Sequence, residues 1–178
     1  MTIAQYPLRR RADTIARVVP MELVGVRVEV PANTPVVVLR ERDDQHRVLP
    51  IVIGNPEASS IHAAIEGVEP PRPLTHDLMV TVLDTLQATL QHIVVTELRD
   101  HIYFAELHLL DQAGVAHVVS SRPSDAVALA ARVGCPIYAT EALLAEAGQT
   151  PAVDEAEAII DEFRDFLDEL DPDDFRSE

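Results

Sequence analysis

Three short segments of this sequence combine carboxylates, arginines and a histidine beside apolar runs. They span residues 49–58, 71–77 and 121–127, and the polar side chains in them that could do chemistry are Glu57, Arg72, His76, Asp77, Arg122, Ser124 and Asp125. A histidine next to a carboxylate offers a proton acceptor and an oxygen ligand, which metal-assisted hydrolysis of a phosphodiester uses. Arginine carries a planar fork of donors that matches phosphate oxygens. The residue types therefore predict chemistry on phosphate esters.

The same acids have a purely structural interpretation. Glu57 and Asp125 are expected in the first turns of two helices, where a carboxylate gains ~0.3–1 kcal/mol from the helix dipole. Thr75 is a suitable N-cap for a helix that begins at His76, which places Asp77 in a first turn as well. The sequence alone leaves both interpretations open.

General motifs of catalysis and cofactor binding are missing from the sequence. It has no CxxC pair, HExxH, Walker loop, GxSxG or GxGxxG. The single cysteine, Cys135, cannot form an intramolecular disulfide, which favours a reducing compartment. No apolar run reaches the ~18 residues of a membrane span, and no apolar segment follows the N-terminal arginines as in a secretory signal. We expect a cytoplasmic protein that has no membrane partner.

The net charge of −16 is concentrated at the C-terminus. Residues 154–178 hold 12 acids and two arginines, a balance of −10, and the rest of the chain carries −6. Affinity for nucleic acid normally comes from cations that displace counterions from phosphate, and this chain has no lysine. The charge therefore argues against tight, non-specific binding and predicts at most weak contact with DNA or RNA.

The hydrophobic pattern predicts an α+β fold. Strands are expected over residues 23–30, 36–42 and 47–53, followed by a helix that has Asn55 as its N-cap and Pro56 at its first position and stops at Gly67. The same order recurs 68 residues later, with strands over 93–98, 102–110 and 115–120 and a helix that runs from Pro123 to Gly134. We interpret this as two βββα units packed into one core with a mixed or antiparallel sheet.

Further elements surround the two units. A helix is expected over residues 77–90, and a short strand and helix over 136–139 and 141–147. Residues 153–170 place seven apolar side chains on one stripe and acids on the other, which predicts an amphipathic C-terminal helix. The expected organisation is a flexible extension (1–20), a main domain (21–150) and an acidic helical tail (151–178). The apolar density of residues 36–39 exceeds what one small sheet needs and indicates a homodimer.

Taken together, the three segments resemble the signature segments of the bifunctional nuclease family. The likeness covers residues 21–145 and depends on LPIVIGNPEA, PRPLTHD and SRPSDAV occurring in this order and at these spacings. The resemblance implies a compact α+β protein, often dimeric, with plant relatives that cleave DNA and RNA. It also implies an acid two residues before Arg122, where this chain has Ser120.

Two functions from different classes remain as hypotheses. The first is a nuclease that depends on a divalent metal, Mg²⁺ or Mn²⁺. In it His76 is the base, Glu57, Asp77 and Asp125 are catalytic acids or metal ligands, and Arg72, Arg122 and Ser124 bind phosphate. The second is a non-catalytic dimeric binding or regulatory module, in which the same segments organise the fold. A site, if present, should bring the loop 72–77 to the segment 122–125.

Overall fold

Seven strands and four helices make up residues 17–42 and 46–150, the part of the chain that the computed structural model describes. In chain order the elements are β1 (Val18–Glu29), β2 (Thr34–Glu41), β3 (Val48–Val52), α1 (Asn55–Ile65), α2 (Thr75–Thr85), β4 (Thr89–Arg99), β5 (Ile102–Leu110), β6 (Ala116–Ser121), α3 (Pro123–Val133), β7 (Ile137–Thr140) and α4 (Glu141–Ala147). The architecture is mixed α+β, as the hydrophobic pattern predicts. None of these helices is long and apolar enough to cross a membrane.

All seven strands belong to one mixed sheet in the order β3-β2-β1-β7-β4-β5-β6. Neighbouring strands are antiparallel except β4 and β7, which run parallel. Strand β7 joins the two halves of the sheet, because it pairs with β1 on one side and with β4 on the other. A core cluster with members on both halves shows that the two halves of the sheet share one hydrophobic core.

The chain order contains two successive sets of three strands and a helix, β1-β2-β3-α1 and β4-β5-β6-α3. These are the segments in which the 68-residue recurrence predicts two βββα units, with α2 between them. That the two sets arose by duplication stays a prediction. The predicted C-terminal helix, residues 153–170, lies outside the described residues.

Strand β1 begins earlier than the alternation of residues 23–30 predicts. It starts at Val18, and its first four residues pair with β7 from Thr140 to Ile137. Val19 and Met21 are almost fully buried, and burial of these side chains outweighs the cost of placing Pro20, which has no N–H, inside a strand. The predicted extension 1–20 therefore contributes its last residues to the sheet, and residues 1–16 lie outside the described part.

Helix α2 is shorter than the predicted helix over residues 77–90. It ends at Thr85, and Gln87 has a φ of 55°, a left-handed conformation that a helix does not continue through. Residues from Thr89 onward belong to β4, where Leu90 is buried in the core. Leu90 lies four residues after Leu86, so the sequence could not distinguish helix periodicity from the start of the strand.

The helices α1 and α3 pack against each other and against strands of the sheet. In α3 every residue from Ala126 to Ala130 is buried, because this helix also contacts α2, β4 and β5. Residues 36–39 are likewise buried within the protomer. The inference that their apolar density calls for a partner chain is therefore wrong: this segment is covered by the rest of its own chain.

Candidate functional site

A cleft of about 430 Å³ opens beside the N-termini of α1 and α3. Its walls come from the end of β3, the turn between β4 and β5, and the start of α3, and they are formed by residues 50–54, 101–103 and 122–124. Strand β3 lies at one edge of the sheet and β5 next to the other edge. The sheet therefore curves enough for both halves of the protein to line one cleft.

Both helices start in the way that their sequences dictate. Pro123 occupies the first position of α3, and Pro56 lies in the first turn of α1, where a missing N–H costs no helix hydrogen bond. The N-caps are Gly54 and Arg122, and neither makes a side-chain cap hydrogen bond. The predicted N-cap Asn55 is instead the first helical residue. Since the Arg122 side chain makes no cap hydrogen bond, its guanidinium is available for other groups.

Arg122 joins the two helix N-termini at the cleft. Its Nη2 lies 2.8 Å from the Glu57 carboxylate of α1, and its Nε and Nη2 donate to both oxygens of Asp125 at 2.8 and 2.9 Å. The Arg122 side chain is 64% exposed, while Glu57 is only 17% exposed. The cleft therefore has an exposed cation at its edge that two carboxylates hold in place.

His76 lies behind Asp125 at the start of α2. Its Nε2 is 3.2 Å from Asp125 Oδ1, and its Nδ1 is 2.8 Å from the hydroxyl of Ser60. The His76 side chain is only 12% exposed and does not line the cleft. The predicted meeting of the loop that contains His76 with the segment that contains Asp125 is thus confirmed.

The environment of Asp125 keeps its carboxyl group ionised. Burial by itself would raise the pKa of Asp125, but the hydrogen bonds from Arg122 and His76 outweigh burial and lower the pKa below its ordinary value. Asp125 is 27% exposed. It is therefore a carboxylate at neutral pH, fixed on two sides and still reachable from solvent.

Asp77 faces away from this pair. One of its oxygens accepts the backbone N–H of Leu74 at 2.8 Å, and the other pairs with Arg132 of α3. The hydrogen bond from Arg132, followed by that from Leu74, lowers the pKa of Asp77 below its ordinary value. Asp77 thus caps α2 and anchors α3 at the same time.

Three residues that the sequence singles out lie in different parts of the structure. Ser124 and Arg72 are predicted to bind phosphate, and Ser120 stands where the resemblance implies an acid. Ser124 is buried in the first turn of α3 and lines the cleft beside Arg122. Arg72 is exposed on the loop before α2 and is not among the cleft residues. Ser120 is exposed on the edge strand β6, also outside the cleft. The geometry groups Arg122 and Ser124 and leaves Arg72 apart from them.

The sequence analysis missed Ser60 and Arg132. Arg132 donates from Nη2 to the Ser60 hydroxyl at 3.1 Å and from Nη1 to the Ser60 carbonyl at 3.2 Å. Helical spacing gives a signal for both, because Ser60 lies three residues after Glu57 and Arg132 lies seven residues after Asp125, each on the same helix face. With them, a continuous chain of contacts runs through Glu57, Arg122, Asp125, His76, Ser60, Arg132 and Asp77.

The side chains described do not form a ligand set for a divalent metal. In residues 17–42 and 46–150, no three or more His, Cys, Asp or Glu side chains are grouped so that they could hold a metal ion. Asp77 and Asp125, the predicted ligand pair, each bond a different arginine. We therefore assign no chemical step to a metal, and metal dependence stays a prediction.

Comparison with known proteins identifies the family. Residues 37–152 match the Bifunctional nuclease domain family, and this chain belongs to it. The chain is 44% identical over 167 residues to the uncharacterized protein Rv1829 of Mycobacterium tuberculosis strain H37Rv, an alignment that covers 88% of this chain and 98% of that relative. It is 29% identical over 114 residues to Bifunctional nuclease 1 of Arabidopsis thaliana, covering 63% of this chain and 35% of the plant protein. The resemblance of the three segments to this family is thus confirmed.

Proposed function

We propose that this chain is a nuclease that hydrolyses phosphodiester bonds of DNA or RNA in the cleft beside α3. The observation that carries the proposal is the position of Arg122, an exposed guanidinium at the cleft with an ionised carboxylate fixed on it. Family membership supports the same reaction, since plant members are named bifunctional nucleases.

Arg122 is the phosphate-binding group in this proposal. Its contacts with described residues use Nε and Nη2, so the two hydrogens of Nη1 are left for phosphate oxygens. The N-terminus of α3, where Ser124 sits, adds the positive end of a helix dipole to the same place. A phosphodiester bound here lies next to the Asp125 carboxylate.

Asp125 is the proton acceptor for the attacking water. A phosphate on Nη1 of Arg122 brings negative charge beside Asp125, which opposes ionisation, raises the pKa of Asp125 and makes the carboxylate a better base. Glu57 holds the other side of Arg122. Water adds to phosphorus and its proton passes to Asp125, while the bond to the leaving oxygen breaks and that oxygen takes up a proton from solvent.

A nuclease assay on highly purified protein tests the proposal. Arg122→Ala and Asp125→Asn should each lower kcat/KM about 100-fold on single- and double-stranded DNA and RNA, because each removes a group that touches the reacting phosphate or water. Arg40→Ala is the matched control, since Arg40 forms an exposed ion pair with Glu22 and does not line the cleft. Activity that survives in both cleft variants is contamination and contradicts the proposal.

The assay is run with Mg²⁺, with Mn²⁺ and with a chelator in parallel. These arms test the predicted metal dependence separately from the assignment of Arg122 and Asp125. Equal rates in all three arms contradict metal dependence and leave the roles of the two residues intact.

The competing function is a non-catalytic binding or regulatory module. One observation favours it: Glu57, Asp77 and Asp125 all pair with arginines, as structural acids do. Under this alternative the purified protein shows no turnover with any metal, and Arg122→Ala changes only stability or binding. The same assay therefore separates the two functions.

We also propose that the protein is a homodimer, with α2 at the interface. No residue of α2 is buried, and the large apolar side chains of Leu78, Met79 and Val82 on α2 and of its C-cap residue Leu86 are 43–67% exposed. Leu78, Val82 and Leu86 follow each other at four-residue spacing, so they form one stripe on the helix. An exposed apolar stripe of this kind is typical of a protein interface.

A further inference from the structure

Ser60 and Arg132 lie behind the cleft, one layer further in than His76. Ser60 is 8% exposed, and the Arg132 side chain is 10% exposed. Because both side chains are almost fully buried and lie behind His76, neither is placed to touch a substrate in the cleft. Arg132 nevertheless donates hydrogen bonds to Ser60 and Asp77, and Ser60 contacts the histidine that is bonded to Asp125. Ordinary helix packing does not explain why these polar side chains are joined behind the cleft.

The direction of each hydrogen bond follows from which groups can only donate or only accept. A guanidinium has no acceptor, so the Ser60 hydroxyl oxygen accepts from Arg132 Nη2. The ionised Asp125 carboxylate has no proton, so His76 Nε2 must carry one and donate it. In a neutral imidazole the other nitrogen, Nδ1, is then an acceptor, and it accepts a hydrogen bond from the Ser60 hydroxyl, 2.8 Å away. The ionised Asp125 carboxylate therefore selects the tautomer, and the Ser60 hydroxyl, whose oxygen accepts from Arg132, complements it by donating to Nδ1.

We propose that Ser60 and Arg132 are positioning residues that hold neutral His76 as the Nε2–H tautomer and thereby fix the Asp125 carboxylate for the hydrolysis proposed above. This inference rests on the proposed function for its consequence and on geometry for the tautomer. It changes the role expected of His76 from the sequence. Both ring nitrogens are engaged in hydrogen bonds, and the side chain is less exposed than that of Asp125, so His76 orients Asp125 and does not itself take the proton of the water.

Asp77 completes this arrangement from the far side. It pairs with Arg132 Nε, while Nη1 and Nη2 of the same guanidinium reach the Ser60 carbonyl and hydroxyl. A planar guanidinium held at three points has little freedom to rotate. The adjacent residues His76 and Asp77 of α2 are therefore each linked directly to α3, His76 to Asp125 and Asp77 to Arg132.

Two-dimensional NMR that correlates the ring nitrogens with the ring carbon-bound protons reports the tautomer directly. The full chain is labelled with ¹⁵N-histidine, and the His76 signals are assigned by their loss in His76→Gln. We expect a protonated Nε2 and an unprotonated Nδ1 whenever the ring is neutral. A neutral His76 with its proton on Nδ1 overturns the inference, whether or not the protein is an active nuclease.

Kinetics of four variants test the consequence for catalysis. Ser60→Ala and Arg132→Lys should lower kcat about tenfold with KM nearly unchanged, because they misplace Asp125 without touching the substrate. Arg122→Ala should raise KM instead. Ser60→Thr keeps the hydroxyl and should recover most of the kcat lost in Ser60→Ala, which a loss of packing alone would not allow.

The outcomes distinguish failure of the proposed nuclease function from failure of the proposed positioning role. A wild-type protein without turnover overturns the proposed function while the NMR result still decides the tautomer. An active enzyme in which Ser60→Ala has the kcat of the wild type overturns the positioning role. If Ser60→Ala does not fold, the kcat of Arg132→Lys still tests the positioning role, and the NMR spectrum of the wild type still tests the tautomer.

Discussion

Asp77 illustrates how a single residue of this protein takes part in local and long-range structure at once. Its carboxylate accepts the N–H of Leu74 at the start of α2 and pairs with Arg132 near the end of α3. Arg132 also accounts for part of the helix packing, because it donates to carbonyls of Ser60 and Ala128. Two helices are therefore joined by charged groups that are largely shielded from solvent, where removing one partner has a measurable cost.

Asp77→Asn should destabilise the protein by about 2 kcal/mol at pH 7, since it removes the charge that Arg132 faces. The pKa of Asp77 is lowered in the folded state, so its contribution to stability is present above the ordinary value of 3.8 and is lost as the pH falls through the folded-state pKa. The difference between wild type and variant should therefore shrink on acidification below that value.

Urea unfolding of both proteins between pH 7 and pH 3 measures this difference. Asp84→Asn is the control, because Asp84 lies on the same helix and is exposed. A difference that stays constant over this pH range would contradict the proposed cause.

At the scale of secondary-structure elements, α2 is unusual in this fold. It begins with the two site residues His76 and Asp77, packs chiefly on α3, and leaves its apolar stripe exposed. A second copy of the chain that covers this stripe would also hold the start of α2 in place. Helix α2 thus carries both the proposed interface and the histidine that contacts Asp125 of the proposed site.

Leu78→Glu combined with Leu86→Glu should convert a dimer into monomers, because two charges would be buried in an apolar contact. Sedimentation at tens of micromolar, as an order-of-magnitude working concentration, measures the oligomeric state. Val28→Glu serves as the control at an exposed valine on β1. A wild-type protein that sediments as a monomer would exclude the dimer altogether.

At the scale of the whole molecule, charge limits what the protein can bind. The net charge of −16 gives no long-range attraction to phosphate, so contact with nucleic acid must depend on a few arginines near the cleft. We expect weak binding that falls further as salt rises, and titrations of labelled single strands at several salt concentrations measure it. Tight binding that is insensitive to salt would contradict this expectation.

Deleting residues 154–178 should lower the melting temperature, and it should not simply strengthen binding. The sequence of this segment places seven apolar side chains on one stripe, and burying each of them contributes ~1.5 kcal/mol or more. That sum exceeds the repulsion that twelve acids can exert on a nucleic acid in salt. Thermal unfolding of the truncated protein, measured beside its binding curve, tests this, and an unchanged melting temperature would contradict it.

Much of the secondary structure of this protein could be predicted from the sequence, because the signals for it are local. Strand alternation, turn residues, Pro123 at a helix start and Gly134 at its end predict the order of the elements, because each signal acts over a few residues. The three polar segments also predict the family. The meeting of His76 with Asp125, 49 residues apart, was predictable only as a contact between two segments.

Only the tertiary structure decided what those side chains do. Whether Asp77 and Asp125 share a metal or bond separate arginines depends on which helix faces lie together, and no spacing within one segment contains that information. The same holds for Ser60 and Arg132, which lie 72 residues apart and meet because α1 packs on α3. The boundary between α2 and β4 also depends on burial of Leu90 in a core built by distant strands. Helix and strand patterns are local, whereas the partner of a charged side chain is set by packing of the whole chain.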